Sequence, residues 1–141
     1  MTDNLTASQT NLTDHGIALL RVTSGGLLLT HGLIKVLVFT PAGTAGFFES
    51  IGFPGVLAYP VMAGEIVLGA ALVLGLMTRL AALLALPILL GAIIPHAGNG
   101  FTFSNPGGGW EFPVFWTVAL AVQAMLGGGS FAIGNPFARS A

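Results

Sequence analysis

The 141-residue sequence contains no cysteine and very few charged side chains. The absence of cysteine excludes disulfides, thiol redox catalysis and thiolate metal sites. Charged residues make up 6% of the chain, whereas soluble domains carry about 25%, so this composition could not build a water-facing surface. The net charge of -1 and the lack of a basic patch give no support to nucleic-acid binding. The sequence therefore predicts an integral membrane protein.

Apolar residues form 54% of the chain and cluster in four long segments. A helix needs about 20 residues to cross a hydrocarbon core of roughly 30 Å. We predict spans near residues 16–39, 56–77, 80–97 and 111–126. None of them alternates apolar and polar residues as a membrane barrel strand would. The predicted fold is all-α, a four-helix transmembrane bundle.

The segment before the first span is polar and has no Lys or Arg. A secretory signal peptide would need a basic region there. We therefore interpret residues 1–15 as a disordered polar tail, residues 16–133 as the membrane domain, and residues 134–141 as a short C-terminal tail.

Basic residues predict the orientation of the bundle. Arg21, Arg79 and Arg139 all fall on one side, and basic residues favour the cytoplasmic side of a membrane. Both termini are therefore predicted to be cytoplasmic. Loop 40–55, with a short interfacial helix, and the Gly-rich loop 98–110 are predicted to lie outside.

Four ionisable residues are predicted to meet inside the membrane. Glu65 lies in the middle of the second apolar segment, and an ionisable residue at that depth is a candidate functional site. The helical rise and the tilt of helical side chains toward their N-terminus bring His31, Lys35, His96 and Glu65 to one layer. Such a layer can exchange protons. We predict catalytic roles for Glu65 and His31, and substrate contacts for Lys35 and His96.

Other polar residues receive narrower predictions. Glu111 and Trp110 begin the fourth span and are predicted to contact the substrate. Arg21, Arg79 and Gln123 are predicted to be structural, with Arg21 reaching toward the cytoplasm and Gln123 bonding it. No metal is expected, because no two ligand-type residues are spaced three or four apart along a helix.

Each candidate also has a purely structural interpretation. Glu65 could be a buried partner of Lys35 or of a histidine, and His31 a satisfied helix-end side chain. His96 could cap its helix, and Glu111 could be a favourable charge at a helix N-terminus. Trp110 could anchor the chain at the membrane interface.

The order and spacing of these residues resemble the DoxX family of small four-helix bacterial membrane proteins. The resemblance extends over roughly residues 16–133 and rests on Arg21, His31-Gly32, Lys35, Glu65, Gly75-x-x-Thr78-Arg79, His96 and Trp110-Glu111. The family is named for its likeness to a small subunit of a thiosulfate:quinone oxidoreductase, and members are linked to membrane redox complexes. Relatives that act together with thiol chemistry often carry cysteines. This chain has none and departs from that pattern.

The leading hypothesis is an accessory subunit of a quinone-linked oxidoreductase in the bacterial inner membrane. Quinone is the candidate ligand, and a cofactor-bearing protein partner is expected because the chain carries no electron carrier of its own. We expect the protein to lie in the lipid bilayer and to bind no nucleic acid. The sequence is compatible with an oligomer. The alternatives are a non-catalytic scaffold or assembly subunit, and a small solute or proton carrier.

Overall fold

The computed structural model describes residues 2–134, and the side chains of residues 11–134. This part of the chain forms five α-helices and no strand, which confirms the all-helical prediction. A 3-10 turn at Gly55–Leu57 precedes the third helix. The helices are α1 (Thr2–Leu37), α2 (Pro41–Ser50), α3 (Ala58–Leu74), α4 (Thr78–Ala97) and α5 (Glu111–Leu126).

Three segments are long and apolar enough to cross a membrane: Asn11–Leu37, Gly55–Leu74 and Thr78–Ala97. Helix α5 is equally apolar but shorter, with 16 residues, or about 24 Å at the usual helical rise. The short helix predicted in loop 40–55 is present as α2. The chain is thus a multi-pass helical membrane protein.

The beginning of α1 differs from the sequence prediction. The helix starts at Thr2 rather than near Gly16, so the polar segment predicted to be disordered continues α1. Adding residues to an existing helix costs far less than nucleating one. The carbonyl of Asp14 also accepts a hydrogen bond from the amide of Ser130 at 3.1 Å. Arg139, which was used to predict the orientation, lies outside the described residues.

The bundle consists of two close helix pairs, α1 with α3 and α4 with α5. Small residues let α1 and α3 approach, as expected in a membrane where close packing drives association. A Cβ added to Gly69 would lie 2.5 Å from the amide nitrogen of Leu29. A central core of buried side chains joins the pairs: Leu28, Leu72, Ala81, Ala82, Ala85, Leu89, Trp116 and Leu120.

Replacing Gly69 by Ala is expected to push α1 away from α3. The added methyl group would meet the backbone of Leu29, which cannot move aside like a flexible side chain. Overpacking of this kind costs about 1–3 kcal/mol. The measurement is the free energy of unfolding in mixed micelles.

The matched control for this prediction is Gly26→Ala in the same helix pair. A Cβ on Gly26 has no neighbour within 4 Å, and alanine favours a helix over glycine by roughly 1 kcal/mol. Gly26→Ala should therefore be neutral or stabilising. Equal effects of the two substitutions would contradict the close packing at Gly69.

One end of the bundle is closed by residues 127–134, which we call the C-terminal strap. The strap crosses the turn between α3 and α4, and we call this end the turn end and the opposite one the loop end. The amide of Gly134 donates to the carbonyl of Gly75 at 3.0 Å, and the amide of Met77 donates to the carbonyl of Gly134 at 3.1 Å. Gly75 ends α3 with a φ of 74°, a left-handed conformation that favours glycine.

Arg21 holds the strap to α3 and does not reach toward water as predicted. The residue is 1% exposed. Its Nε donates to the carbonyl of Gly128 at 2.8 Å, and its Nη2 to that of Ser130 at 3.1 Å. Its Nη1 donates to the carbonyls of Leu72 and Val73 at 2.7 and 2.9 Å. These last carbonyls end a helix, where a cation is electrostatically favoured.

The predicted bond between Gln123 and Arg21 is wrong, although both residues bind the strap. Gln123 is fully buried and its Nε2 donates to the carbonyl of Gly127 at 2.6 Å. The exposed Arg79 side chain lies against Gly127 as well. The structural roles of these three polar residues are therefore centred on one segment, which follows the last predicted span and for which the sequence predicted no structure.

Candidate functional site

A cavity of about 500 Å³ lies between the two helix pairs, in the half of the bundle near the loop end. This size falls within the roughly 300–1,000 Å³ usual for small-molecule sites. Most of the lining side chains are apolar or aromatic. The ionisable side chains that line it are His31, Lys35, Glu65 and His96. The structure thus brings to one cavity the four residues that were predicted to share a layer.

Glu65 and Lys35 form an ion pair at the wall of the cavity. Lys35 Nζ lies 2.5 Å from Glu65 Oε1, and the side chains are 24% and 5% exposed, respectively. Gly32 makes this approach possible, since a Cβ there would lie 2.9 Å from the Cβ of Glu65. The second carboxylate oxygen, Oε2, is buried and has no hydrogen-bond partner among residues 11–134.

His31 lies on the same helix as Lys35, one turn earlier. Its Nδ1 is 2.9 Å from the carbonyl of Leu27, and because a carbonyl only accepts, this bond places the ring proton on Nδ1. Nε2 is then the nitrogen that can exchange a proton. The imidazole also packs against Trp116, with 5.1 Å between the ring centroids.

Trp116 and Phe112 form the wall contributed by α5, and sequence reasoning missed both as site residues. Trp116 is 5% exposed, and its Nε1 has no hydrogen-bond partner in the described part of the chain. The two rings lie 5.6 Å apart. The available signal was their spacing, because side chains four residues apart share one helix face. The structure therefore adds an indole N–H donor to the predicted group.

His96 serves both the cavity and the loop above it. Its Nδ1 lies 3.1 Å from the carbonyl of Gly107 and 3.0 Å from that of Gly108. These contacts hold loop 98–110 over the end of α4. The side chain also lines the cavity, and its hydrogen bonds go to loop 98–110 and not to the end of its own helix.

Glu111 and Trp110 do not line this cavity, although both were predicted to contact the substrate with the other four. Glu111 Oε1 accepts a hydrogen bond from the amide of Phe103 at 2.6 Å. Trp110 packs edge-on against Phe101, with 4.9 Å between the centroids. Both residues line a separate, shallow aromatic groove at the loop end together with Phe115. Their observed contacts organise loop 98–110.

No metal-binding group is formed within the described residues. Three or more His, Cys, Asp or Glu side chains do not come together there in a way that could hold an ion. The cavity lining includes a carboxylate and an imidazole, which are groups able to exchange protons, and an indole N–H, which can donate a hydrogen bond.

Comparison with known proteins relates the chain to a family and to a named bacterial protein. The sequence model of the DoxX family matches residues 16–105, which include the four ionisable cavity residues but not α5. A Bacillus subtilis (strain 168) protein named "Putative oxidoreductase CatD" is 42% identical over 90 residues, which are 60% of this chain and 66% of that protein. The chain thus spans just under two thirds of that relative's length. No solved structure matches.

Proposed function

Because this chain belongs to the DoxX family, we propose that it is an accessory subunit of a quinone-linked redox complex in the bacterial inner membrane. The proposed role is to bind the quinone ring in the cavity and to exchange protons with it. The name of the Bacillus subtilis relative refers to oxidoreductase chemistry, which is consistent with this role. Electrons would pass through a partner protein, since the chain has no cysteine and therefore no thiolate-held cluster.

The observation that carries the proposal is a pair of buried polar atoms that have no partner and belong to two side chains lining an apolar cavity. Glu65 Oε2 is an acceptor and Trp116 Nε1 a donor, and neither is satisfied within residues 11–134. Leaving such groups unpaired costs about 1–3 kcal/mol each. A flat ring with oxygen atoms on opposite sides would satisfy both, while its carbon skeleton contacts the apolar walls. The residues present therefore fit a quinone or quinol.

The roles of the residues follow from their positions. Lys35 holds Oε1 of Glu65 at 2.5 Å, which leaves Oε2 to accept a proton or hydrogen bond from a ligand hydroxyl. Trp116 Nε1 would donate to the oxygen on the other side of the ring. His31, with its proton on Nδ1, has Nε2 as a second exchange point. A bound quinone supplies two-electron, two-proton redox chemistry, for which these side chains provide orientation and proton transfer.

Replacing Glu65 by Gln is expected to lower quinone-linked electron transfer by about 100-fold or more. Gln retains the shape and can still bind Lys35 through its amide oxygen, but it cannot take a proton, and general acid–base groups contribute about 10²–10⁴ in rate. The measurement is quinone-linked electron transfer by the complex, purified from native membranes through a tag on this chain. The amount of co-purifying partner should stay unchanged.

The control is Glu111→Gln, the same substitution at an acid outside the cavity. The Gln amide oxygen can still accept the hydrogen bond from Phe103, so activity should be retained. Full activity of the Glu65→Gln complex would refute the proposed proton exchange. It would favour the second candidate, a scaffold subunit in which the Lys35–Glu65 ion pair only specifies helix packing.

A further inference from the structure

The cavity has two possible sides that face the membrane, because it lies between two helix pairs. One side is the seam between α1 and α5, and the other is the seam between α3 and α4. Within each pair the helices pack closely, so a ligand could pass only at a seam or at the loop end. The contacts at these three places differ.

The α1–α5 seam is closed beside the cavity. The ring of His31 packs on that of Trp116 across this seam, with 5.1 Å between centroids. Trp116 is 5% exposed, and Pro113, which lines the cavity one turn earlier in α5, is also buried. An aromatic contact between the two helices therefore blocks access from this side.

Aromatic side chains and loop backbone lie over the loop end of the cavity. Helix α2 and the residues after it place Phe47, Phe48 and Phe53 against the cavity, and the rings of Phe48 and Phe53 lie 6.3 Å apart. On the other side, His96 ties loop 98–110 down through the carbonyls of Gly107 and Gly108. The cavity therefore has a roof of aromatic side chains and backbone, in which Phe47 and Phe103 are exposed on their outer side.

The α3–α4 seam differs from the α1–α5 seam. Pro60 of α3 and Pro87 of α4 line the cavity and are both exposed. The two helices are close at Ile88, because a Cβ on Gly64 would lie 2.8 Å from Ile88 Cδ1. Gly91, nearer to the loop end, also lines the cavity, and an added Cβ there would meet no atom within 4 Å. The seam is thus narrow at Ile88 and open above it, at Gly91.

The open part of the seam lies at the depth of the hydrocarbon core. Gly91 is 13 residues after Thr78, the first residue of α4, which corresponds to about 20 Å along the helix. A hydrocarbon core of roughly 30 Å therefore surrounds this level. An alkyl chain lying in the seam would stay in a hydrocarbon environment, so it would lose little solvation free energy on binding.

We propose that the ligand is a quinone with a long hydrocarbon tail that enters from the bilayer through the α3–α4 seam. Its ring meets Glu65 and Trp116, and its tail leaves past Pro60 and Pro87 into the lipid. This inference rests on the proposed function and narrows its substrate to a membrane-dissolved quinone. A tailless, water-soluble quinone would reach the cavity only through the roof.

The test uses a ubiquinone analogue with a photoreactive diazirine at the end of a decyl tail. The protein, in lipid nanodiscs, carries Trp110→Phe, so that Trp116 is the remaining tryptophan of the two in the chain. Saturable quenching of its fluorescence reports that the ring is in the cavity. Photolysis and mass spectrometry then locate the tail, with excess non-photoreactive decylubiquinone as competitor.

The expected result is Trp116 quenching together with competed adducts at residues 57–61 and 87–91. Competed adducts on α2 or loop 98–110, with quenching intact, would overturn the lateral route but leave quinone binding in place. Adducts that the competitor does not remove would overturn the route as well. If neither this analogue nor a tailless benzoquinone with the same ring substituents quenches Trp116, the proposed function itself fails.

Discussion

Replacing Lys35 by Met is expected to destabilise the protein by about 3 kcal/mol or more. Removing one partner of a buried ion pair typically costs about 3–5 kcal/mol, because it leaves an uncompensated charge. Glu65 is the partner that would be stranded, with 5% of its side chain exposed. Lys35 itself is 24% exposed, which favours the lower end of that range. The measurement is the free energy of unfolding in mixed micelles.

The matched control combines Lys35→Met with Glu65→Gln. This double variant removes both charges, and replacing a whole buried pair by neutral residues is often close to neutral. Most of the lost stability should therefore return. A double variant as unstable as Lys35→Met alone would show that the loss comes from the packing of the lysine chain and not from the stranded carboxylate.

Replacing Gly91 by Leu is expected to weaken quinone binding by about 10- to 100-fold, because overpacking costs roughly 1–3 kcal/mol. Gly91 lines the cavity beside the seam, and a side chain there would grow into space that holds no atom within 4 Å of its Cβ. Leu is also a much better helix former than Gly, so the fold should be retained. The measurement is the concentration of decylubiquinone that half-quenches Trp116 in the Trp110→Phe background.

Gly26→Leu provides the same substitution away from the site. Gly26 also has no neighbour within 4 Å of an added Cβ, but it does not line the cavity. The binding curve of Gly26→Leu should match that of the Trp110→Phe protein that keeps both glycines. Equal weakening in both variants would mean that any added bulk disturbs the protein, and unchanged binding in Gly91→Leu would place the ligand elsewhere.

The helices followed closely from the sequence, because the lengths of apolar runs are themselves the physical constraint. Helix α5 has the predicted bounds, and α4 begins two residues earlier than expected, at Thr78. The strap was missed because its hydrogen bonds join backbone groups of distant segments. Such bonds do not depend on the side chains and therefore leave no pattern in the sequence. For the same reason nothing in the sequence showed that Arg21 would bind Gly128 and Ser130.

The depth of the candidate site in the membrane could be predicted from the sequence, but the rotation of each helix about its own axis could not. Counting residues along each helix placed His31, Lys35, Glu65 and His96 near one level, and all four line one cavity. Which face of α5 turns inward could not be read, since that helix is apolar on nearly all sides and lacks the polar stripe that fixes rotation in a soluble bundle. Trp116 was missed for this reason, and Glu111, which was predicted to contact the substrate, lines a separate groove.

The hold of Arg21 on the strap sets an order of events during biosynthesis. Arg21 precedes Gly128 by 107 residues, which a ribosome needs roughly 5 to 20 s to translate. During that interval two of the carbonyls that surround the guanidinium do not yet exist. Until then Arg21 can bind only the carbonyls of Leu72 and Val73 at the end of α3, and the strap can close its end of the bundle only after the chain beyond α5 has been made.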